Sequence, residues 1–217
     1  MLRTVMRAIT YSKDAAKTLR RIPANVAATI RAKIAQYAAS PEGLAGNVIQ
    51  MAGSEGFLRL RVGDWRVVFT ESGTIVAIVR IARAEASTSE DMTMNAQIIT
   101  TPGGERMVIV PEADYLAMVE ALETAGDIAA VNLFNARLKS GEEELLPSAM
   151  VDALVDGENP IRVWREHRGL SVKELAGSAA ITPAYLSQIE AGKRAGTVET
   201  LRKIALALKI TLDDLVG

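Results

Sequence analysis

The stretch Leu58–Phe69, LRLRVGDWRVVF, constrains the fold of this 217-residue chain more than any other segment. Its two alternating runs are joined by Gly63-Asp64, a dipeptide typical of the two-residue turn of a β-hairpin. In that register three apolar pairs share one face: Val62 with Trp65, Leu60 with Val67, and Leu58 with Phe69. Because an apolar face must be covered, the sequence predicts an antiparallel sheet with helices packed on one side.

The opposite face of this hairpin is strongly basic. Arg61 falls directly opposite Arg66, with Arg59 beside them, and we call this surface the arginine face. Like charges opposed across a ladder are unfavourable, so the cluster indicates a site for a polyanion or an acidic partner. The alternative is that the arginines only solvate an open sheet face. A later strand ends in Arg80 and Arg83, and the turn length decides which of them joins the face.

The flanking residues predict an α+β domain over residues 1–91. We expect a first strand over 5–11, helices over about 13–21 and 23–39, and an antiparallel sheet built from VIQM, FLRLRV, WRVVFTE and TIVAIVRIAR. The small, polar run AEASTSEDMTMN, residues 84–95, then marks a linker or domain boundary.

Residues 92–158 form a second segment. QIIT and MVIV predict a small hairpin, and Pro111 opens a helix that we expect Gly126 to end. A further helix over about 127–139 and a short one over 147–155 follow.

The net charge of −1 conceals three segments of opposite sign. Residues 1–91 hold 13 Lys/Arg against 8 Asp/Glu, residues 92–158 hold 3 against 12, and residues 159–217 hold 9 against 6. The balances are +5, −9 and +3. An acidic segment tethered beside a basic domain has a high local concentration, so we expect it to dock over the arginine face.

Residues 159–217 carry helix signals at close intervals. Asn159-Pro160 begins one helix, Ser171 with Glu174 forms a capping box, and Thr182-Pro183 begins another helix. Thr197 and Thr211 cap two more. This spacing predicts a compact domain of five short helices.

The run LSVKELAGSAAITPAYLSQIEAGKRAGTVETLRKIALAL in this domain closely resembles the helix-turn-helix of the Xre family, the phage-repressor type. The resemblance implies that a recognition helix enters the DNA major groove and that Gln188 reads adenine. It also implies phosphate contacts that fix the register. The DNA-binding residues implied are Ser171, Lys173, Thr182, Pro183, Ala184, Tyr185, Gln188, Lys193 and Arg194. The alternative for any one of them is ordinary solvated helix surface, and we expect His167 to be structural.

Residues 1–86, with their RxRxGxxR hairpin, look like the RelE/ParE superfamily of bacterial toxins. RelE and HigB members cut mRNA in the ribosomal A site, which requires positive charge around the phosphorane and an acid and a base. The resemblance implies that this charge comes from Arg59, Arg61, Arg66 and Arg83. Cleaving members also carry histidine or a basic run and then tyrosine after the sheet, whereas IARAEASTSED has neither and Tyr11 and Tyr37 lie too early. ParE-like members, which poison gyrase, lack this catalytic set.

Residues 94–158 resemble the start of HigA-like antitoxins, which neutralise RelE-type toxins and end in an Xre domain. NAQIITTPGGERMVIVPEADYLAMVEALE is similar to their opening hairpin and helix. The chain then joins a toxin and an antitoxin, by natural fusion or by engineering, and Met92 or Met94 suits an original start.

These resemblances lead us to expect a fused toxin–antitoxin protein. Its acidic segment holds the toxin domain inactive, and its C-terminal domain binds operator DNA as an autorepressor and a homodimer. Two alternatives stay open: a transcription regulator with a catalytically dead toxin domain, and a ribosome-dependent mRNA endonuclease gated by the antitoxin segment.

The composition excludes several other classes of protein. With no cysteine and one histidine, a disulfide framework and thiolate-ligated metal sites are excluded, and we expect no cofactor or metal. No apolar run is long enough to span a membrane and no signal peptide is evident, so we expect a cytoplasmic protein without a membrane partner.

Overall fold

The structure is a computed structural model that describes residues 7–51, 54–83 and 96–216. The expected linker, with Met92 and Met94, therefore lies outside the described residues. The strands are β1 Ala8–Tyr11, β2 Val48–Gln50, β3 Phe57–Val62, β4 Trp65–Ser72, β5 Ile75–Arg83, β6 Gln97–Thr100, β7 Arg106–Ile109 and β8 Leu146–Pro147. The helices are α1 Lys13–Arg21, α2 Ala24–Ala39, α3 Glu112–Ser140, α4 Ser148–Val155, α5 Pro160–His167, α6 Val172–Ser178, α7 Pro183–Glu190, α8 Val198–Leu208 and α9 Leu212–Val216.

The described N-terminal part is built on a six-stranded sheet of order β2-β3-β4-β5-β1-β8. Strands β2 to β5 pair antiparallel, as predicted. The sheet as a whole is mixed, because β1, whose pairing the sequence left open, pairs parallel with β5. The physical reason is that the chain passes through α1, α2 and three strands before β5 returns beside β1.

Helices α1 and α2 cover the apolar face of the sheet. Ser12 begins α1, and its Oγ accepts a hydrogen bond from Ala15 N at 3.0 Å. The core beneath these helices contains Leu19, Ile30, Ile34, Leu60, Val67, Phe69 and Ile78, all of them buried. Apolar burial on this side holds the sheet, so the other face is free to carry charge.

Helix α3 is continuous over 29 residues, so the prediction of two helices separated at Gly126 is wrong. The helix runs through Gly126 and ends at Gly141, which has φ 76° and is a left-handed cap. A Cβ atom at Gly126 would lie 3.3 Å from Arg80 Nη1, so the glycine allows a close approach to the sheet.

The end of the middle segment joins the N-terminal fold. Strand β8 pairs antiparallel with β1 and covers that edge of the sheet. Helix α4 buries Met150, Val151 and Leu154 in the same core. By contrast, β6 and β7 form a separate two-stranded sheet.

The C-terminal region is helical, as predicted. Asn159, Ser171, Thr182 and Thr197 each cap a helix with a side-chain oxygen, and Ser171 and Glu174 form the expected capping box. Within the described ranges, no helix is both long and apolar enough to cross a membrane.

Candidate functional site

The hairpin of β3 and β4 has the register predicted from its sequence. Arg61 lies directly opposite Arg66, and Arg59 lies opposite Val68. Arg59 and Arg66 are only 8% and 7% exposed, whereas Arg61 is exposed. Two of the three predicted arginines are therefore covered by another part of the chain.

Arg80, and not Arg83, joins the arginine face. Arg80 pairs with Val68, whereas Arg83 pairs with Trp65 on the face that carries α1 and α2. The cause is a register shift, because Val68 pairs with Arg80 while Phe69 pairs with Ile78, leaving Val79 as an extra residue. Such a bulge reverses the alternation of side chains, and the placement of Arg83 beside Arg59 and Arg66 is corrected accordingly.

Three carboxylates of α3 cover the arginine face. Glu120, Glu123 and Asp127 follow one another at spacings of three and four residues, so they share one side of the helix. Glu120 accepts hydrogen bonds from Arg59 Nη1 at 3.0 Å and from Arg66 Nη2 at 2.9 Å. Glu123 forms an ion pair with Arg66. One carboxylate thus bridges two arginines, and a second one reinforces the contact with Arg66.

Asp127 contacts the remaining arginines. Its Oδ1 lies 3.4 Å from Arg80 Nη1, and its Oδ2 lies 3.9 Å from Arg59 Nη1. The side chain is 3% exposed. Burial raises the pKa of Asp127 above its ordinary value, although Arg80, Arg59 and Arg66 act in the opposite direction. Loss of hydration therefore outweighs the attraction of three cations.

The same side of α3 becomes apolar one turn further on. Val131 and Phe134 are buried, and they pack against an apolar patch of the sheet. That patch consists of Met51, Phe57, Val68 and Val79. The change from acidic to apolar along the helix matches the change from arginine to apolar along the sheet, which fixes the position of α3 along the sheet.

The arginines are not fully satisfied by these contacts. Among the described residues, Arg59 Nε and Arg66 Nη1 are buried without a hydrogen-bond partner. A buried cationic donor without an acceptor is unfavourable. Within the same described part of the chain, Asp127 Oδ2 of α3 is also buried without a hydrogen-bond partner, so the contact leaves both donors and acceptors unused.

The two tyrosines near the toxin-like domain are structural. Tyr11 is 2% exposed, and burial raises its pKa. Tyr37 donates a hydrogen bond to Glu71 Oε2 at 3.1 Å. Burial is the main cause that raises the pKa of Tyr37, and this hydrogen bond raises it further. Neither side chain belongs to the arginine face, and raised pKa values make both phenols poor bases at neutral pH.

The second predicted site lies on α6 and α7. Leu175, Ala176, Leu186, Ile189 and Ile204 are buried where these helices cross, and Ile181 and Leu201 are partly buried against them. A half-buried pair then anchors α7 to α5: Arg165 Nε donates to Glu190 Oε1 at 2.8 Å, and Arg165 Nη2 lies 3.1 Å from Glu190 Oε2. The first turns of α7 are thereby held outward on a rigid support.

All the predicted DNA-contacting residues except Tyr185 are exposed. The exposed residues are Ser171, Lys173, Thr182, Pro183, Ala184, Gln188, Lys193 and Arg194. Tyr185 is partly buried, and the Arg194 guanidinium lies 4.7 Å from its ring centroid. Ser171 and Thr182 use their side-chain oxygens as helix caps, so only their hydroxyl hydrogens are available to a phosphate.

The sequence prediction missed Glu120, Glu123 and Asp127 as individual residues. Their spacing places them on one side of a helix only if that helix continues through Gly126. The prediction ended the helix at Gly126, so the shared side was not recognised. His167 is structural, as expected, with Nε2 lying 3.0 Å from Glu144 Oε1.

Comparisons with known proteins match the two ends of the chain separately. Residues 9–87 match the family described as ParE toxin of type II toxin-antitoxin system, parDE. Residues 161–215 match the helix-turn-helix family.

Two relatives are similar to parts of the chain. The HTH-type transcriptional regulator DdrOP3 of Deinococcus deserti is 41% identical over 56 residues, which cover 26% of this chain and 43% of that protein. The chain thus matches less than half of the length of this curated relative. The crystal structure of the clp gene regulator ClgR from C. glutamicum aligns with 27% of this chain and 77% of its own, at 29% identity and a TM-score of 0.26. On the family matches to residues 9–87 and 161–215, the chain joins a ParE-type toxin domain at its N-terminal end to an Xre-type helix-turn-helix domain at its C-terminal end.

Proposed function

We propose that this chain is a toxin–antitoxin fusion in which α3 neutralises the toxin domain and the helix-turn-helix represses the operon by binding its operator. The observation that carries the proposal is the burial of Arg59 and Arg66 under Glu120, Glu123 and Asp127. A face that is screened by carboxylates of its own chain cannot meet a polyanionic or acidic target at the same time.

The incomplete pairing of the arginines supports an exchange of partners. Arg59 Nε and Arg66 Nη1 form no hydrogen bond with α3, so a ligand that presents acceptor oxygens to these donors has a means to compete. Replacing one partner of such a buried pair costs about 3–5 kcal/mol, which is comparable with the stability of a small domain.

A growth assay tests the neutralisation. Glu120→Gln with Glu123→Gln in the full chain should arrest cells on induction, because Arg66 loses both of its carboxylate partners and Arg59 loses Glu120. Glu142→Gln with Glu158→Gln removes the same charge from exposed positions of the middle segment and should leave growth normal. Adding Arg66→Ala to the toxic variant should restore growth. Normal growth of the Glu120/Glu123 variant at equal protein level would reject the neutralisation.

The residues of the arginine face favour a toxin domain that does not cleave RNA. Among the described residues of this face there is no tyrosine or histidine to act as acid or base. Residues 84–95 contain neither type. This supports a ParE-like action on gyrase over cleavage of ribosome-bound mRNA. Primer extension on mRNA from arrested cells should therefore show no new cuts, whereas cuts that vanish with Arg66→Ala would establish the endonuclease.

A transcription regulator with a silent toxin domain is the second candidate. The lack of an acid and a base on the arginine face favours this candidate equally. It predicts that cells grow normally even when the Glu120/Glu123 variant exposes the arginine face. The two candidates share operator binding.

Operator binding is tested by footprinting at several salt concentrations. Gln188→Ala should weaken binding and relax the preference at one base pair, by about 1–3 kcal/mol. Lys193→Ala should weaken binding to every sequence and reduce the salt dependence by about one counterion. Lys139→Ala, at the end of α3, is the charge-matched control and should change neither. Unchanged affinity in both test variants would reject this assignment.

A further inference from the structure

The hairpin of β6 and β7 has no core of its own. Five large apolar side chains on it are between 41% and 61% exposed: Ile98, Ile99, Met107, Val108 and Ile109. The pairing Ile98–Val108 occupies one face, and Ile99–Met107 with Ile109 occupies the other. Monomeric proteins rarely leave contiguous apolar patches exposed on this scale, and an isolated two-stranded hairpin is marginally stable in water.

The outer edges of this hairpin are unprotected. No third strand pairs with it among the described residues. Proteins block exposed edges with lysines, prolines or bulges, but the paired residues of β6 and β7 include one charge, Arg106, and neither proline nor bulge. A strand edge of this kind is suited to pairing with another strand.

We infer that this hairpin is the homodimer interface, at which it meets the same hairpin of a second copy of the chain. Glu105 and Arg106 give the hairpin no net charge, so an identical patch meets no repulsion across a two-fold axis. Two hairpins joined edge to edge make a four-stranded sheet, which passes the minimum for independent stability. Nucleic acid and anionic lipid are disfavoured, because the paired strands carry one cationic side chain, Arg106.

The inference deepens the proposed operator binding, on which its biological purpose rests. Each chain has a single recognition helix, α7, whereas helix-turn-helix proteins read two half-sites about 34–36 Å apart as dimers. The hairpin leads through Pro111 into α3. The dimer contact and the helix that covers the arginine face therefore lie on one continuous segment of the chain. Dimerisation through the hairpin leaves α7 exposed for DNA.

Sedimentation equilibrium of the full chain without DNA tests the interface. The wild type should be a dimer at about 10 µM, and Met107→Glu with Ile109→Glu should raise the dimer dissociation constant about 100-fold or more. The control pair Val198→Glu with Leu206→Glu places the same charges on exposed apolar residues of α8 and should leave the dimer intact. Circular dichroism of both variants should match the wild type, because all four residues are exposed.

Three results would overturn the inference: a monomeric wild type at this concentration, a hairpin variant that remains a dimer, or a dimer that only the α8 variant breaks. Operator footprinting is measured separately on the same proteins. Failure of operator binding by a hairpin-linked dimer would reject the repressor function and leave the interface standing.

Discussion

Among single residues, Asp127 shows two opposing effects of covering the arginine face: burial disfavours the charged carboxylate, whereas the nearby arginines favour it. Its carboxylate has arginines nearby, yet burial raises its pKa, so the folded protein binds this proton more readily than the unfolded chain. Stability from this group is fully present below its unfolded pKa of 3.8 and is lost as the pH rises through the raised folded pKa.

Asp127→Asn therefore tests the balance between burial and charge. The amide keeps the shape of the carboxyl group but cannot titrate, so the variant lacks the pH dependence that Asp127 contributes. Its free energy of unfolding relative to the wild type should therefore rise as the pH rises from below 3.8. Denaturant unfolding across this pH range measures the difference in unfolding free energy. A wild type whose stability rises relative to the variant as the pH rises would contradict the prediction.

Glu144 has the opposite pH dependence. Its hydrogen bonds to Arg168 Nη2 at 2.7 Å and to His167 at 3.0 Å, with the bond to Arg168 contributing most, lower its pKa from 4.5 to about 2. A depressed pKa gives stability that is present above the unfolded value and is lost as the pH falls toward the folded value.

Glu144→Gln should therefore flatten acid unfolding between pH 4.5 and about 2. At neutral pH the variant should lose up to about 3 kcal/mol of unfolding free energy, less what solvent screening removes. Glu142→Gln, two residues earlier and exposed, is the control and should keep the wild-type profile. An unchanged slope in the Glu144 variant would show that the carboxylate does not make these contacts.

At the scale of elements, one side of α3 positions the helix on the sheet, and this side changes from acidic to apolar along its length. Glu120, Glu123 and Asp127 meet arginines, and Val131 and Phe134 meet the apolar patch of the sheet. Charge alone fixes position weakly, because ion pairs tolerate sliding and are screened, whereas packed side chains do not. The apolar end should therefore contribute most of the binding energy.

Phe134→Ala should lower the free energy of unfolding by about 3–5 kcal/mol. Leu133→Ala is the matched control on the preceding residue of the same helix, where the side chain is 50% exposed, and should cost less than about 1 kcal/mol. Thermal or denaturant unfolding of the full chain compares them. Equal losses in the two variants would mean that this end of α3 is not seated on the sheet.

The elements also show where sequence reasoning succeeds and fails. The turn and alternation of LRLRVGDWRVVF determine the hairpin register, and the capping residues of the C-terminal helices determine their starts. Gly126 misled because glycine favours helix ends, whereas here it lets Arg80 approach the helix. The bulge at Val79 has no sequence signature, since it depends on how β4 and β5 twist together, and it moved Arg80 into the place considered for Arg83.

In the whole molecule, the acidic middle segment connects both basic ends. Arg31 of α2 pairs with Asp152 at 2.8 Å and with Asp156 at 2.9 Å. Lys17 of α1 pairs with Asp214 of α9 at 2.9 Å, so the C-terminal domain also rests on the toxin-type domain. The charge balance along the sequence predicted that the segments attract one another, but not which residues meet, because net charge contains no geometry.

The contact between Arg66 and Glu123 is the most direct test of the claim that α3 covers the arginine face. A double-mutant cycle with Arg66→Met and Glu123→Gln, measured by denaturant unfolding of the full chain, isolates their interaction from other effects. A parallel cycle of Arg66→Met with Glu142→Gln is the control, since Glu142 is exposed beyond the end of the helix. We expect a coupling energy of about 1–3 kcal/mol in the first cycle and none in the second. A coupling energy within about 0.3–0.5 kcal/mol of zero in the first cycle would contradict the docking of α3 on the arginines and, with it, neutralisation of the toxin domain by its own chain.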